Sequence, residues 1–159
     1  MKNICFLVAL FLTTGCEPSY RLYVKNSTDR NIGLDLIQIK VHGLFPLGTS
    51  DTLYANFGQD LIPDIKWSTE KKLNQRKKIE HVNDSTFQIG LNSHSTYLIS
   101  SGMLIPFKRI IINQEHRIDT IIMYGKDGKD RNVRKSMEQI KVHNKMGFYR
   151  AAKIIEVIH

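Results

Sequence analysis

This chain of 159 residues contains few cysteines and none of the short sequence motifs that identify common enzyme families. It has two cysteines, Cys5 and Cys16, and a single tryptophan, Trp67. Two cysteines are too few for the disulfide framework of a small secreted domain. No glycine-rich nucleotide loop, H-E-x-x-H metal motif or G-x-S-x-G nucleophile motif occurs. The sequence therefore predicts no catalytic residue, no metal site and no cofactor.

Histidine is present, but the six residues are dispersed along the chain, at His42, His81, His94, His116, His143 and His159. None lies at the spacing that brings metal ligands together locally, so each is interpreted as a surface or loop histidine. One alternative stays open, in which the fold brings together His81 and His94 on either side of the strand that contains Phe87. A catalytic triad dispersed in the sequence is a second open alternative.

Long hydrophobic runs are missing apart from one stretch near the N-terminus. Lys2 precedes an apolar run from Ile4 to Leu12, which Thr13-Thr14-Gly15-Cys16 follows. A bilayer-spanning helix needs about 20 apolar residues, so this run is too short to be an anchor helix and is typical of a signal peptide. Together these residues resemble the leader and lipobox of bacterial lipoproteins, in which signal peptidase II cleaves before a cysteine that carries diacylglycerol. An ordinary secretory signal with a chance cysteine is the alternative.

The resemblance implies where the protein works and how the chain is divided. Residues 1–15 would be removed as the signal peptide, residues 16–19 would form the lipid anchor and a short tether, and residues 20–159 would form a single domain. Cys16 would be the lipid attachment site. The expected location is the bacterial cell envelope, on the outer membrane and facing the periplasm. Cys5 would leave with the leader, which excludes thiol catalysis and cysteine-ligated metals in the mature domain.

Acidic residues are outnumbered by basic ones, and the formal net charge is +8. The excess lies mainly in two segments, 66–81 and 126–145. Basic clusters bind phosphates, but an exported protein rarely meets nucleic acid, so the expected polyanions are anionic lipid head groups or acidic polysaccharides. The candidate binding residues are Lys71, Lys72, Arg76, Lys77 and Lys78. The alternative is a solvated surface that keeps the protein soluble.

Apolar residues alternate with polar ones along most of the mature chain, and this pattern predicts strands. The slip in phase between residues 32 and 41 predicts a β-bulge. The segment from Phe148 to Ile158 fits either a strand or a helix, and we favour a strand. The other predicted strands are Tyr20 to Val24, Ile32 to Val41, Thr52 to Asn56, Phe87 to Leu91, Thr96 to Ser100, Phe107 to Asn113 and Ile118 to Tyr124.

Helical spacing is limited to a weak stripe, Val133, Met137, Ile140 and Asn144, which predicts one short helix near 133–145. The basic segment 68–80 has too little apolar surface for a convincing helix. Short strands separated by turn residues predict a mainly β fold, a single antiparallel β-sandwich of immunoglobulin-like or related topology.

Three functions are compatible with these features. The first is a noncatalytic, membrane-anchored envelope lipoprotein that binds a protein or a glycan. The second is a lipid-anchored hydrolase that acts on an envelope polymer. The third is an electrostatic binder of anionic lipid or polysaccharide. Trp67, next to the first basic segment, is either a core residue, which we favour, or an exposed contact for a sugar or partner.

Overall fold

The computed structural model describes residues 19–38, 53–63, 67–102, 107–114, 117–122, 131–132, 139–147 and 150–158. Strands make up 76% of these residues, which confirms the mainly β prediction. The leader, Cys16 and the tether up to residue 18 lie outside the described residues. The elements are β1 (Ser19–Asn26), β2 (Ile32–Gln38), β3 (Leu53–Gln59), α1 (Trp67–Lys72), β4 (Gln75–Asn83), β5 (Thr86–Leu91), β6 (Ser95–Gly102), β7 (Phe107–Gln114), β8 (Arg117–Ile122), β9 (Arg131–Asn132), β10 (Ile140–Gly147) and β11 (Arg150–Val157).

The strands form one sheet in the order β10-β11-β1-β6-β3-β4-β5-β2-β7-β8-β9. The sheet is curled into a half-barrel. Its pairings are antiparallel, as predicted, with one exception: β1 and β11 run parallel. No helix in the part of the chain that the structure describes is long and apolar enough to cross a bilayer.

The sheet changes neighbours within β4. Residues 75–79 of this strand pair with β3, whereas Glu80, His81 and Asn83 pair with β5. The register shifts between His81 and Asn83, and such irregularities bend a strand and increase its twist. β4 is therefore the strand through which the sheet turns from one half to the other.

Both halves contribute side chains to one core. Leu22 and Val24 of β1 face inward, as do Leu34 and Leu36 of β2, and all four are fully buried. Phe57 of β3 stacks on Tyr97 of β6 with ring centroids 4.8 Å apart. The alternation of inward apolar and outward polar residues is what identified these strands in the sequence.

Several strand predictions are confirmed. The ambiguous C-terminal segment is a strand, β11, whose Ile155 and Val157 are buried in the core. The hairpin of β7 and β8 pairs Asn113 with Ile118 and Gln114 with Arg117. The predicted bulge corresponds to a register shift between Ile37 and Gln38 where β2 meets β7; residues 39–41 of that prediction lie outside the described residues.

The helix prediction near 133–145 is wrong in its described part. Residues 140–147 form β10, because Ile140 and Val142 alternate toward the core opposite Val157 and Ile155. Residues 133–138 lie outside the described part of the chain. The short helix is instead α1, in the basic segment that had too little apolar surface to be convincing.

A second layer covers the outer face of β1 and β11. Tyr23, on the face of β1 that alternation predicted to be polar, packs with Leu73, Ala152 and Ile154. Arg21 on the same face is buried and forms an ion pair with Glu70 of α1. The polypeptide around α1 is thereby fixed across the outside of the sheet.

Candidate anion-binding surface

Two of the five candidate basic residues lie at the C-terminal end of α1. Lys71 and Lys72 occupy its last turn and are exposed. Cations are favourable at this end because the last carbonyl groups of a helix carry partial negative charge. The chain then buries Leu73 against Tyr23 and enters β4. The helix end has its own structural reason to be basic, and it also places two lysines on the surface.

The other three candidates lie on β4, where alternation divides them between two faces. Arg76 and Lys78 are exposed on the outer face, whereas Lys77 shares the inward direction of buried Ile79. The ammonium Nζ of Lys77 donates a hydrogen bond to Oδ1 of Asn92 at 2.9 Å. Lys77 therefore joins β4 to the end of β5. The four remaining candidates, Lys71, Lys72, Arg76 and Lys78, are exposed on the outer side of the sheet.

Tyr54 of β3 completes the outer face and was not among the sequence candidates. It lies directly opposite Lys78 in the antiparallel register. The guanidinium carbon of Arg76 is 4.6 Å from the centroid of the Tyr54 ring, and the Tyr54 side chain is 48% exposed. This is cation–π geometry, and it holds the guanidinium beside a half-exposed aromatic ring. Trp67, for which the sequence favoured a core position over an exposed contact, begins α1, but its side chain lies outside the described part.

Gly58 connects the helix end with this outer face. A Cβ added to Gly58 would lie 2.9 Å from the carbonyl oxygen of Lys72 and 2.7 Å from Cδ1 of Leu61. The C-terminal end of α1 thus lies directly on β3, on the same face as Tyr54. We call the set Tyr54, Lys71, Lys72, Arg76 and Lys78 the basic surface.

Neutral and acidic groups bound the basic surface on the side of β5. Glu80 follows on the outer face of β4. Beyond it, the amide of Gln88 donates to Oδ1 of Asp35 at 2.9 Å, and the amide of Asn113 donates to Oδ2 of Asp35 at 2.8 Å. The positive charge is consequently local to β3, β4 and the end of α1.

The second basic segment, 126–145, lies mostly outside the described residues. Of its cations, Arg131 lies on β9, and Lys141 and Lys145 lie on β10. Nζ of Lys145 donates to the carbonyl oxygen of Pro63 at 3.2 Å, so this lysine helps to hold the outer segment in place.

The structure does not bring the histidines together as ligands. The His81 ring lies 5.0 Å from the ring of Phe87, between centroids. His94 instead pairs with Asp29, with 2.7 Å between Nε2 and Oδ1. No group of three potential metal ligands occurs among the residues that the structure describes. His42, His116 and His159 lie outside them.

One cluster combines a serine, a carboxylate and a histidine. Oγ of Ser27 donates to Oε1 of Glu156 at 2.8 Å, Nζ of Lys25 lies 2.9 Å from the same oxygen, and Nε2 of His143 is 3.7 Å from Oε2. In a catalytic triad the imidazole lies between the hydroxyl and the carboxylate. Here the carboxylate lies between them, so His143 is not placed to act as a base for Ser27.

Glu156 is also a poor base. Partial burial raises its pKa, but hydrogen bonds from Lys25 and Ser27 and the charges of Lys25 and His143 outweigh burial, and the pKa of Glu156 is lowered below its ordinary value. The cluster is an ion-pair network on the outside of the sheet, and it gives the hydrolase hypothesis no support.

The chain has no significant match to any protein-family model, curated protein or solved structure.

Proposed function

We propose that this protein is a noncatalytic, lipid-anchored component of the bacterial cell envelope whose basic surface binds an acidic glycan. The anchor is Cys16, and the proposed location is the outer membrane, facing the periplasm. The fold proposed for the domain is sandwich-like, with the two halves of the curled sheet facing each other across the core. This last proposal is supported by the change of neighbours within β4 and by the single core that both halves share.

The observation that carries the binding proposal is the group formed by Tyr54, Arg76 and Lys78. The stacked guanidinium and the cross-strand lysine bring two basic residues of β4 beside a half-exposed aromatic ring. Aromatic faces bind the apolar faces of sugars, and arginine binds carboxylates and phosphates through paired hydrogen bonds. An acidic sugar offers both of these contacts at once.

The binding test uses the full chain in detergent, titrated with polygalacturonate and with neutral dextran. We expect binding to polygalacturonate that weakens as salt rises, because the Debye length falls from about 10 Å at 0.1 M to about 3 Å at 1 M. Each cation near an anionic surface contributes about 1 kcal/mol, so Arg76→Gln with Lys78→Gln should weaken binding by roughly tenfold to thirtyfold.

A matched control removes two charges elsewhere. Arg30→Gln with Lys141→Gln changes an exposed arginine in the turn after β1 and an exposed lysine on β10 and should leave the affinity unchanged. Tyr54→Ala should weaken binding without altering its salt dependence. Equal losses in both double variants, or equal binding to dextran, would show that the basic surface is a solvated charged face and would reject the proposal. Binding only to vesicles of phosphatidylglycerol would assign the surface to lipid instead.

The anchor is tested separately by metabolic labelling with a fatty acid. Wild type should incorporate the label, and Cys16→Ala should not. Equal incorporation in the two proteins would reject Cys16 as the attachment site.

A further inference from the structure

The strand register defines one end of the sheet, which we call the anchor end because β1 begins there. On one half, Tyr20 pairs with Gly102 and with Ala151, and Ala151 pairs with Met146. On the other half, Asn83 pairs with Thr86, Thr86 with Ile37, and Ile37 with Arg109. Because β6, β3 and β4 alternate in direction, both sets of paired residues lie at the same end of the sheet as Ser19.

Exposed apolar side chains lie at the anchor end. Met146, next to last in β10, is 83% exposed, and Val82, next to last in β4, is 57% exposed. Each lies one residue before the end of its strand, close to the paired residues that define the anchor end. Ile118, with a similar exposure of 54%, lies at the opposite end of the sheet, near the start of β8, and Ile62, 79% exposed, lies beyond the opposite end of β3 in the segment that leads to α1.

Basic side chains lie at the same end of the sheet, on β7, three strands from β4 in the sheet order. Lys108 and Arg109 follow the buried Phe107 at the start of β7, and both are exposed. The acid described at this end of β4 and β5 is Asp84, in the turn between them. A surface that carries both exposed apolar residues and cations is typical of proteins that rest in the interface of an anionic bilayer.

The length of the preceding chain brings the anchor end close to the proposed membrane. Cys16 is three residues before Ser19, and three residues span at most about 11 Å when fully extended. A lipid on Cys16 would therefore hold the start of β1 within about 11 Å of its attachment point, a distance comparable with the Debye length of about 10 Å at 0.1 M salt.

We propose that the anchor end of the domain rests on the bilayer that holds its own lipid. Val82 and Met146 enter the boundary between head groups and acyl chains, and Lys108 and Arg109 contact anionic phospholipid head groups. The inference rests on the lipid anchor of the proposed function. It also orients the basic surface, which lies on the side of the sheet, toward the layer of polymer next to the membrane.

The test uses the full lipidated chain reconstituted in vesicles of phosphatidylethanolamine and phosphatidylglycerol. Val82→Cys, Met146→Cys and Ile118→Cys each receive a fluorophore, and spin-labelled lipids act as quenchers. We expect quenching at positions 82 and 146 to exceed that at 118 by roughly twofold or more, because only the first two would lie at the depth of the quencher. Adding Lys108→Gln and Arg109→Gln should reduce the quenching at positions 82 and 146 in the vesicles that contain phosphatidylglycerol. The same two substitutions should have little effect on quenching in phosphatidylcholine vesicles.

The wild-type chain separates the two ways in which this experiment can fail. If Cys16 is acylated and Cys5 has left with the leader, wild type contains no thiol and takes up no fluorophore, whereas labelling of wild type would contradict the anchor itself. If wild type stays unlabelled and quenching is absent or equal at all three positions, the docking of the anchor end is rejected while the anchor stands.

Discussion

At the scale of single residues, Asn26 has the most demanding environment. Its side chain is completely buried, and its amide nitrogen donates to the carbonyl oxygens of Arg30 at 2.7 Å and Asn92 at 2.9 Å. Its oxygen accepts hydrogen bonds from the backbone and hydroxyl of Thr28. Asn26 thus joins the turn after β1 to the turn after β5.

Asn26→Ala should lower the free energy of unfolding by about 1–3 kcal/mol, because the substitution leaves buried polar groups without partners. Chemical denaturation measures the change. Asn31→Ala is the control, because Asn31 accepts one hydrogen bond from the backbone of Ser93 in an exposed setting. This substitution should lower the free energy of unfolding clearly less than Asn26→Ala does. Equal losses would mean that burial of the Asn26 network contributes nothing.

Glu156 makes stability depend on pH. Its folded-state pKa is lowered by Lys25, Ser27 and His143, so the stabilisation is fully present above the unfolded-state value near 4.5 and is lost as pH falls through the folded value. Lys141 lies opposite Glu156 in the register of β10. Denaturation midpoints from neutral pH to about pH 3 should show wild type more stable than Glu156→Gln at neutral pH, with the difference shrinking in acid. A constant difference would contradict the coupling.

At the scale of elements, the close packing of α1 against β3 depends on Gly58. A methyl group there would meet the backbone oxygen of Lys72 at 2.9 Å, and backbone cannot move aside cheaply. Gly58→Ala should therefore cost about 1–3 kcal/mol of stability and displace the helix. Gly102→Ala, where nothing lies within 4 Å of the added carbon, should change stability by less than about 0.5 kcal/mol. Comparable unfolding curves for the two variants would contradict this account.

The elements also show what the sequence could predict. β5 was predictable because Phe87, Ile89 and Leu91 are buried while Gln88 and Gly90 are exposed. β4 was missed because Ile79 is its single buried side chain, which leaves no apolar period to detect. Its strand character comes from pairing with β3 and β5, and that information is not local.

The basic surface, like the strands, was predictable from the sequence only in part. Exposure of Arg76 and Lys78 follows from their charge, whereas the inward direction of Lys77 follows only once β4 is known to be a strand. Tyr54 could not be found from sequence, because its contact with Arg76 depends on the register of two strands joined through α1. The outward half of β1 was predicted to be polar, and it is buried because α1 and Leu73 cover it.

At the scale of the whole molecule, β11 connects the two strands on either side of it. It pairs with β1 on one edge and with β10 on the other, and Ile155 and Val157 are buried in the core. Deleting residues 150–159 should abolish cooperative unfolding, because both neighbouring strands lose their partner. Ile155→Ala, which keeps the strand, should still unfold cooperatively with a loss of about 2–5 kcal/mol. A sigmoidal denaturation curve from the truncated protein would contradict this prediction.

The parallel pair of β1 and β11 also sets the order of events during biogenesis. Lys25 and Glu156, which meet across this pair, are separated by 131 residues. A ribosome adding 5–20 residues per second needs on the order of ten seconds to make that length. A chain made from its N-terminus would leave the β11 edge of β1 unpaired for this whole interval, although β6 can already pair with the other edge. The β1–β11 pair would thus close only once β11 has been made, so β10 and β11 would join the sheet after the strands that precede them in the chain.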